Sequence, residues 1–285
     1  MEKKSACPME KNAARLEKMR ANLEKLESKA NAILEKSELT AFDRFQLLEL
    51  LNIAYHDSGK IEGVASIDGT SACEFCEKMR NSAEKNPLVI CGYCYAWADK
   101  WKEASFRRHK LNAKILSSVL FTEDELKTLA IPSLLCRINE DGDITNVIHA
   151  QNVLRIQKTH DYIRFGFWFK NVPAVEKALA NEGMTTKDSL PKNVVFVQSS
   201  VLIGVPAVPA WFTDCVFTVF PDKETTETAI VNGAFECNGK KCKACGYNCY
   251  RRERADNVQY IAEYLRTSAA KREGIVAAYK KYIGE

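Results

Sequence analysis

The stretch YIRFGFWFKNVPAVEKALANEGMTTKDSLPKNVVFVQSS, residues 162–200, decides the fold class. YIRFGFWF reads as a strand, VPAVEKALANEG as a helix and NVVFVQSS as a second strand, a succession that argues for a parallel sheet with a βαβ crossover. The near-continuous apolar character of VVFV, and of CVFTVF at 215–220, fits strands buried on both faces. The same alternation extends upstream. IPSLLCRIN (131–139) reads as a strand, ITNVIHAQNVLRIQKTH (144–160) as a helix, and KIEGVASID (60–68) as a first strand that leads into a pair of cysteines. The expected fold is α/β, a parallel sheet with helical N- and C-terminal extensions and two cysteine-bearing loops.

Around this core the chain divides into a helical arm over 1–58, an α/β unit over 59–235 and a cysteine-rich, helical tail over 236–285. Residues 9–36 carry Leu16, Met19, Leu23, Leu26, Ala30 and Ile33 at alternating steps of three and four. That stripe serves equally a coiled-coil arm making a homodimer and a helix packed on its own domain. A second helix is expected over 39–55, capped by Thr40 with Asp43, a long helix over 95–120, and two helical segments over 251–283 divided at Gly274.

Composition narrows the function. The 285 residues are 46% hydrophobic, enough to bury a substantial core, and the net charge of +4 is too mild to require a nucleic-acid partner. MEKKSACPMEKN at 1–12 has no apolar signal region, and no apolar run reaches the roughly 18 residues of a membrane span. A cytoplasmic protein is expected. The eleven cysteines are the departure from an ordinary composition. An odd total that falls largely into two tight sets fits metal ligation better than a disulfide framework.

Cys73, Cys76, Cys91 and Cys94 form a C-x2-C-x14-C-x2-C pattern. It suits tetrahedral zinc and equally an iron–sulfur cluster, since thiolates bind both. Cys237, Cys242, Cys245 and Cys249 form C-x4-C-x2-C-x3-C, a compact asymmetric run closer to iron–sulfur ligation, with zinc as the alternative. Cys136 and Cys215 lie in predicted strands and read as small buried hydrophobes; Cys7 has no assigned role.

In a parallel α/β sheet, ligands gather beyond the carboxyl ends of the strands. Those ends hold Asp68, Asn139 to Asp143, Lys170, Gln198 to Ser200 and Asp222. Asp143 is suited to an ammonium group, Lys170 to a carboxylate or phosphate, and Gln198, Ser199 and Ser200 to hydrogen bonding a ligand; turn chemistry is the competing use. His149 and His160 read as satisfied structural histidines. RRHK (107–110) and RRER (251–254), with Tyr93, Tyr95, Trp97, Trp101, Tyr247 and Tyr250 near the cysteines, raise single-stranded nucleic-acid binding as an alternative.

The ordered motifs CGYCYA, RINEDGDI, FGFWFK, VQSS, DCVFTVF and ECNGKKCKACGYNCY, over about 60–250, resemble the phage and mobile-element family known as gene product eighty-eight. That family brings no established activity. The chain also resembles, more loosely, the radical S-adenosylmethionine enzymes, including the spore photoproduct lyase type. This resemblance implies a partial (β/α) barrel whose first strand leads into a cysteine loop. The loop holds a [4Fe–4S] cluster with one iron open to S-adenosylmethionine. Cys91-Gly92-Tyr93-Cys94 matches the end of such a loop, and GDI at 142–144 stands where the superfamily contacts the methionine amino group. The usual C-x3-C-x2-C spacing is absent, and four cysteines stand where three are expected.

Overall fold

The computed structural model describes residues 8–69, 74–93, 103–140, 142–237, 241–246, 248–251, 253, 257–265 and 267–284. Its centre is one eight-stranded, mostly parallel sheet. Six parallel strands follow in sequence order: β2 (Ala65–Ile67), β3 (Leu135–Ile138), β4 (Arg164–Phe169), β5 (Val194–Ser199), β6 (Cys215–Phe220) and β8 (Gln259–Tyr264). β1 (Ile53–Tyr55) pairs antiparallel with β2 at one edge, and β7 (Phe235–Glu236) lies parallel to β8 at the other.

Side chains alternate across each strand, so every strand contributes to two different environments. One face carries Ile67, Cys136, Ile138, Phe165, Phe167, Phe169, Val194 and Phe196. It is covered by α4 (Glu103–Ser118), α6 (Val147–Thr159) and α7 (Val172–Asn181), which add Ile115, Leu116, Val153, Leu154, Val175 and Leu179 to the main core. Phe167 stands 5.4 Å from Phe169 and 5.7 Å from Phe196, ring centre to ring centre. The opposite face carries Arg137, Gly166, Trp168, Val195, Val197, Cys215, Phe217 and Ile261, and it bears the candidate site.

α1 (Pro8–Leu34) lays Leu23, Ala30 and Ile33 on the domain itself, beside α4, and Arg107 of α4 bonds both carboxylate oxygens of Glu27 at 2.8 and 2.6 Å. Only the start of the stripe remains open: Leu16 is 50% and Met19 37% exposed.

Two helical expectations give way to strands. The helix expected over 39–55 ends after α2 (Ala41–Glu49), and Ile53–Tyr55 becomes β1. Buried Asn112 causes the break, because its Oδ1 accepts the Asn52 N–H and its Nδ2 donates to the Asn52 carbonyl, both at 2.8 Å. The chain is thereby turned to pair Ala54 with Ser66. Within the expected tail helices, residues 259–264 instead pair with β6 along its whole length, from Cys215 with Gln259 to Phe220 with Tyr264. Pairing and burial override local helical preference here. α10 (Ala269–Ile283) then runs through Gly274 without a break; an isolated glycine costs a helix only about 1 kcal/mol. α8 (Lys223–Val231) was not legible as a helix; Asp222 caps it, its Oδ1 accepting the Thr225 N–H at 2.9 Å.

α5 (Glu123–Leu126) is held to α2 by a bidentate pair, with Arg44 Nε 2.5 Å from Glu125 Oε1 and Nη2 2.8 Å from Oε2. Arg44, together with the Thr122 N–H and hydroxyl, pulls the Glu125 carboxyl down to about 2. A lowered folded-state value means stabilisation that is present above pH 4.5 and is lost as the pH falls towards 2. Glu125→Gln is therefore expected to lower stability by about 1 kcal/mol at pH 7. Urea midpoints of the two proteins should converge as the pH falls from 4.5 to 3; a constant gap would contradict the assignment.

Candidate metal and ligand chamber

The face of the sheet opposite the helices borders a cavity of about 580 Å³. Both cysteine sets reach it: Cys76 and Cys91 from the first, and Cys237, Cys242, Cys245 and Cys249 from the second. Cys73 and Cys94 lie outside the described residues. The strands present Arg137, Trp168, Phe217, Val219 and Glu263 to the same cavity.

The first cysteine loop leaves the end of β2 at Asp68. α3 (Glu74–Ala83) carries Cys76, and a 3-10 turn (Ile90–Tyr93) carries Cys91. Backbone bonds anchor this turn across the end of β5: Ile90 N–H donates to the Val201 carbonyl at 2.9 Å, and Ile203 N–H to Leu88 at 2.7 Å. Leu88 packs in a small core with Ile203, Leu265 and Ile275, with Ile90 and Tyr93 against it. Gly92 is required by this packing, since a Cβ there would lie 2.6 Å from the Ala83 side chain.

The strand ends are tied together by polar side chains. Asn139, in the left-handed region at φ 61, donates from Nδ2 to the Trp168 carbonyl at 3.0 Å and accepts the Gly69 N–H at 3.3 Å. Asparagine tolerates that conformation better than most residues. Buried Asp68 accepts the Glu140 N–H and the Ser66 hydroxyl, each at 2.6 Å. His56 Nε2 stands 2.9 Å from Ser66 Oγ and 3.2 Å from Glu140 Oε2.

The second cysteine run packs against the lower part of the same face. Cys242 N–H donates to the Lys60 carbonyl at 2.7 Å, and Cys237 N–H to Ala262 at 2.9 Å. α9 (Asn248–Arg251) places Cys249 and buried Tyr250 over Gly166; a Cβ on Gly166 would meet the Cys249 carbonyl and the Tyr250 ring at 3.0 Å. Cys237, Cys242, Cys245 and Cys249 are in no disulfide. Burial pushes the thiols of Cys237, Cys242 and Cys249 up; Arg137 pulls all three down, and Lys60 does so for Cys237 and Cys242. Charge on neighbouring thiols raises each of the three as well. Buried soft donors that repel one another's charge, with cations beside them, suit a thiophilic metal centre. Among the described residues, however, no three Cys, His, Asp or Glu side chains are grouped closely enough to hold a metal ion.

Of the five ligand-binding residues expected from sequence, Asp143, Lys170, Ser199 and Ser200 line the cavity. Gln198 is not among its lining residues: it pairs with Phe169 in register and faces the helical side. There its amide donates to the Val208 carbonyl and accepts the Ala210 N–H and Thr213 hydroxyl, fixing the loop before β6. Ser200 Oγ stands 2.8 Å from Thr218 Oγ1 and accepts the Ala207 N–H. Asp143 is 1% exposed and accepts backbone N–H bonds from Ile144, Lys170 and Asn171; burial pushes its carboxyl up against the pull of Lys170. Lys170 Nζ lies 4.0 Å from Asp143 Oδ2.

Both helix histidines have structural places. Burial pushes His149 down to about 4, and its Nδ1 accepts the Thr145 N–H at 3.2 Å; His160 bridges the Ile156 and Leu129 carbonyls. In the basic run 107–110, Arg107 is held by Glu27, Arg108 Nη1 donates to Asn52 Oδ1, and His109 Nε2 is 3.8 Å from Asp68. Tyr250 is buried, whereas Tyr95, Trp97, Trp101 and Tyr247, with Arg252 and Arg254, fall outside the described residues.

Glu140, named in the sequence only as part of the strand end 139–143, also lines the chamber, as do Arg137, Trp168, Glu263 and Lys60, which the sequence reading passed over. Arg137 and Trp168 carried a signal, as polar-tipped residues inside the apolar strands LCRI and RFGFWF. Among the described residues no helix is long and apolar enough to cross a membrane. Compared with protein-family models, curated proteins and solved structures, the chain matches none of the three.

Proposed function

We propose that the protein is an iron–sulfur enzyme of the radical S-adenosylmethionine kind, related to the phage and mobile-element family it resembles and acting on a small molecule. In this reading the first cysteine loop holds a four-iron cluster with an open iron, and the second run holds an auxiliary cluster. The observation that carries it is the single cavity of about 580 Å³ shared by both cysteine sets and by the carboxyl ends of β3 to β5. The strand order supports a partial (β/α) barrel. Six parallel strands step in one direction, so right-handed crossovers gather the helices on one face and leave the other to enclose a space. The order reverses at the far edge, where β7 lies beyond β8, whereas a doubly wound sheet reverses near its middle.

When bound, an open-iron cluster supplies the electron that cleaves the sulfonium of S-adenosylmethionine. The chain's own residues position and shelter. Glu140, at the end of β3 with one oxygen 3.2 Å from His56 Nε2, is the carboxylate assigned to the methionine ammonium, since the Asp143 oxygens accept three backbone N–H groups. Lys170 offers a cation to a carboxylate, and Trp168, Phe217 and Val219 form an apolar wall against water. Anaerobically purified protein is expected to be brown, with about eight irons per chain if both sites hold four-iron clusters. Under dithionite it should cleave S-adenosylmethionine. Zinc in place of iron, or iron-loaded protein inert towards S-adenosylmethionine, would overturn the proposal.

A further inference from the structure

His56 follows β1 directly, and its backbone is fixed on both sides. Its N–H donates to the Val64 carbonyl at 3.0 Å, and its carbonyl accepts the Gly63 N–H at 2.7 Å. Register decides which way it faces. Ala54 pairs with Ser66 and Ser66 with Arg137, which lines the cavity, so Ser66 and His56, two residues on from Ala54, belong to the chamber side of the sheet. On that side four polar side chains run in a line, from buried Asp68 through Ser66 and His56 to Glu140 at the cavity.

The bonding pattern assigns the protons along this line. The Asp68 carboxylate accepts the Ser66 hydroxyl at 2.6 Å, which uses the one proton that hydroxyl has. Ser66 Oγ therefore accepts from His56 Nε2, 2.9 Å away, and the imidazole carries a proton on that nitrogen. Glu140 Oε2 lies 3.2 Å from the same nitrogen, so the N–H also faces the carboxylate at the cavity. Asp68 thus secures Glu140 twice. Its Oδ1 accepts the Glu140 backbone N–H at 2.6 Å, and its Oδ2, through Ser66, sets the ring that meets the Glu140 side chain. A group whose partner is itself held in one orientation keeps its geometry when a ligand arrives.

We infer that His56, oriented by Ser66 and Asp68, is the positioning residue of the chamber's cation-recognising carboxylate, fixing Glu140 in one orientation towards a ligand ammonium. This rests on the reading of the chamber as a site for S-adenosylmethionine. Glu140 is the group that touches the ligand, and His56 and Ser66 act through it. An unheld glutamate side chain would lose its rotamer freedom on binding, whereas here that freedom is lost on folding; the difference corresponds to about three- to tenfold in affinity.

The test measures binding calorimetrically on the full chain, purified anaerobically, with two probes. One is S-adenosylmethionine; the other is 5′-methylthioadenosine, which shares the adenosine and thioether parts and has no ammonium. His56→Leu is expected to weaken S-adenosylmethionine by about three- to tenfold and to leave methylthioadenosine unchanged. His56→Gln, whose amide places an N–H near the position of Nε2, should restore most of the affinity. In a chain already carrying Glu140→Gln, His56→Leu should have no further effect, since the two residues act as one unit. Ser66→Ala should weaken S-adenosylmethionine alone, in the same direction and by less, and it carries the test if His56→Leu does not fold. Equal weakening of both probes, an undiminished effect in the Glu140→Gln background, or no recovery in His56→Gln would overturn the inference while leaving the chamber as the binding site. Failure of the unsubstituted protein to bind S-adenosylmethionine would overturn the underlying reading as well.

Discussion

Protein carrying Cys91→Ser is expected to lose reductive cleavage of S-adenosylmethionine down to background while keeping about half of its iron. Two features make Cys91 the sharper of the first-loop thiols to replace. It sits in a short turn fixed by main-chain bonds to the end of β5, so its sulfur is placed by the sheet rather than by a mobile loop. It also lines the cavity that the second set lines, so on the proposed reading its loss would remove the open-iron cluster and leave the auxiliary one. Serine keeps the volume and removes the soft ligand. The matching control is Cys136→Ser. That thiol lies on the helical face, buried in the main core and raised by burial, and its replacement should leave both iron content and cleavage intact. Iron assay and product analysis on the two variants separate a ligand from a structural thiol. Undiminished cleavage by Cys91→Ser would remove Cys91 from the site.

The parallel core was legible because its strands are buried on both faces and its helices are bounded by polar residues. The sequence expectation of strand, helix and strand over 162–200 corresponds to β4, α7 and β5 with small differences at the ends. β1 and β8 were not legible. Each exists because a neighbouring strand offers unpaired backbone groups, and Asn112 or the full register with β6 decides against the helix that local sequence favours. For the site, the cysteines and the strand ends could be named, but their sharing of one chamber could not, since the two sets are far apart in the chain. The parity of the side chains explains the different fates of Gln198 and Ser199. Gln198 falls in step with Phe196 and faces the helices, while Ser199 falls in step with Val197 and faces the chamber.

Asp143→Ala is expected to destabilise the protein by about 3 kcal/mol or more, and Asp143→Asn by less. The carboxylate closes the gap between the loop after β3 and the start of α7. It accepts the Ile144 N–H at 2.7 Å, the Lys170 N–H at 2.9 Å and the Asn171 N–H at 3.3 Å, while Asn171 Nδ2 donates back to the Ile144 carbonyl at 3.0 Å. Alanine would leave those donors without their acceptor in a buried place. Asparagine retains one carbonyl oxygen but turns an amide towards groups that can only donate. For a chain of this size, 3 kcal/mol corresponds to a fall in melting temperature of roughly 6–12 °C. The sequence resemblance would instead have Asp143 hold the methionine ammonium, in which case Asp143→Asn would weaken S-adenosylmethionine binding with little change in melting. Glu140→Gln gives the complementary measurement, because Glu140 lines the cavity with its carboxylate 3.2 Å from His56 Nε2 and its backbone N–H bonded to Asp68. Weakened S-adenosylmethionine binding in Glu140→Gln at nearly unchanged melting temperature, beside a large loss of stability in Asp143→Ala, would assign recognition to Glu140 and support to Asp143. The opposite pairing of effects would return the ammonium contact to Asp143.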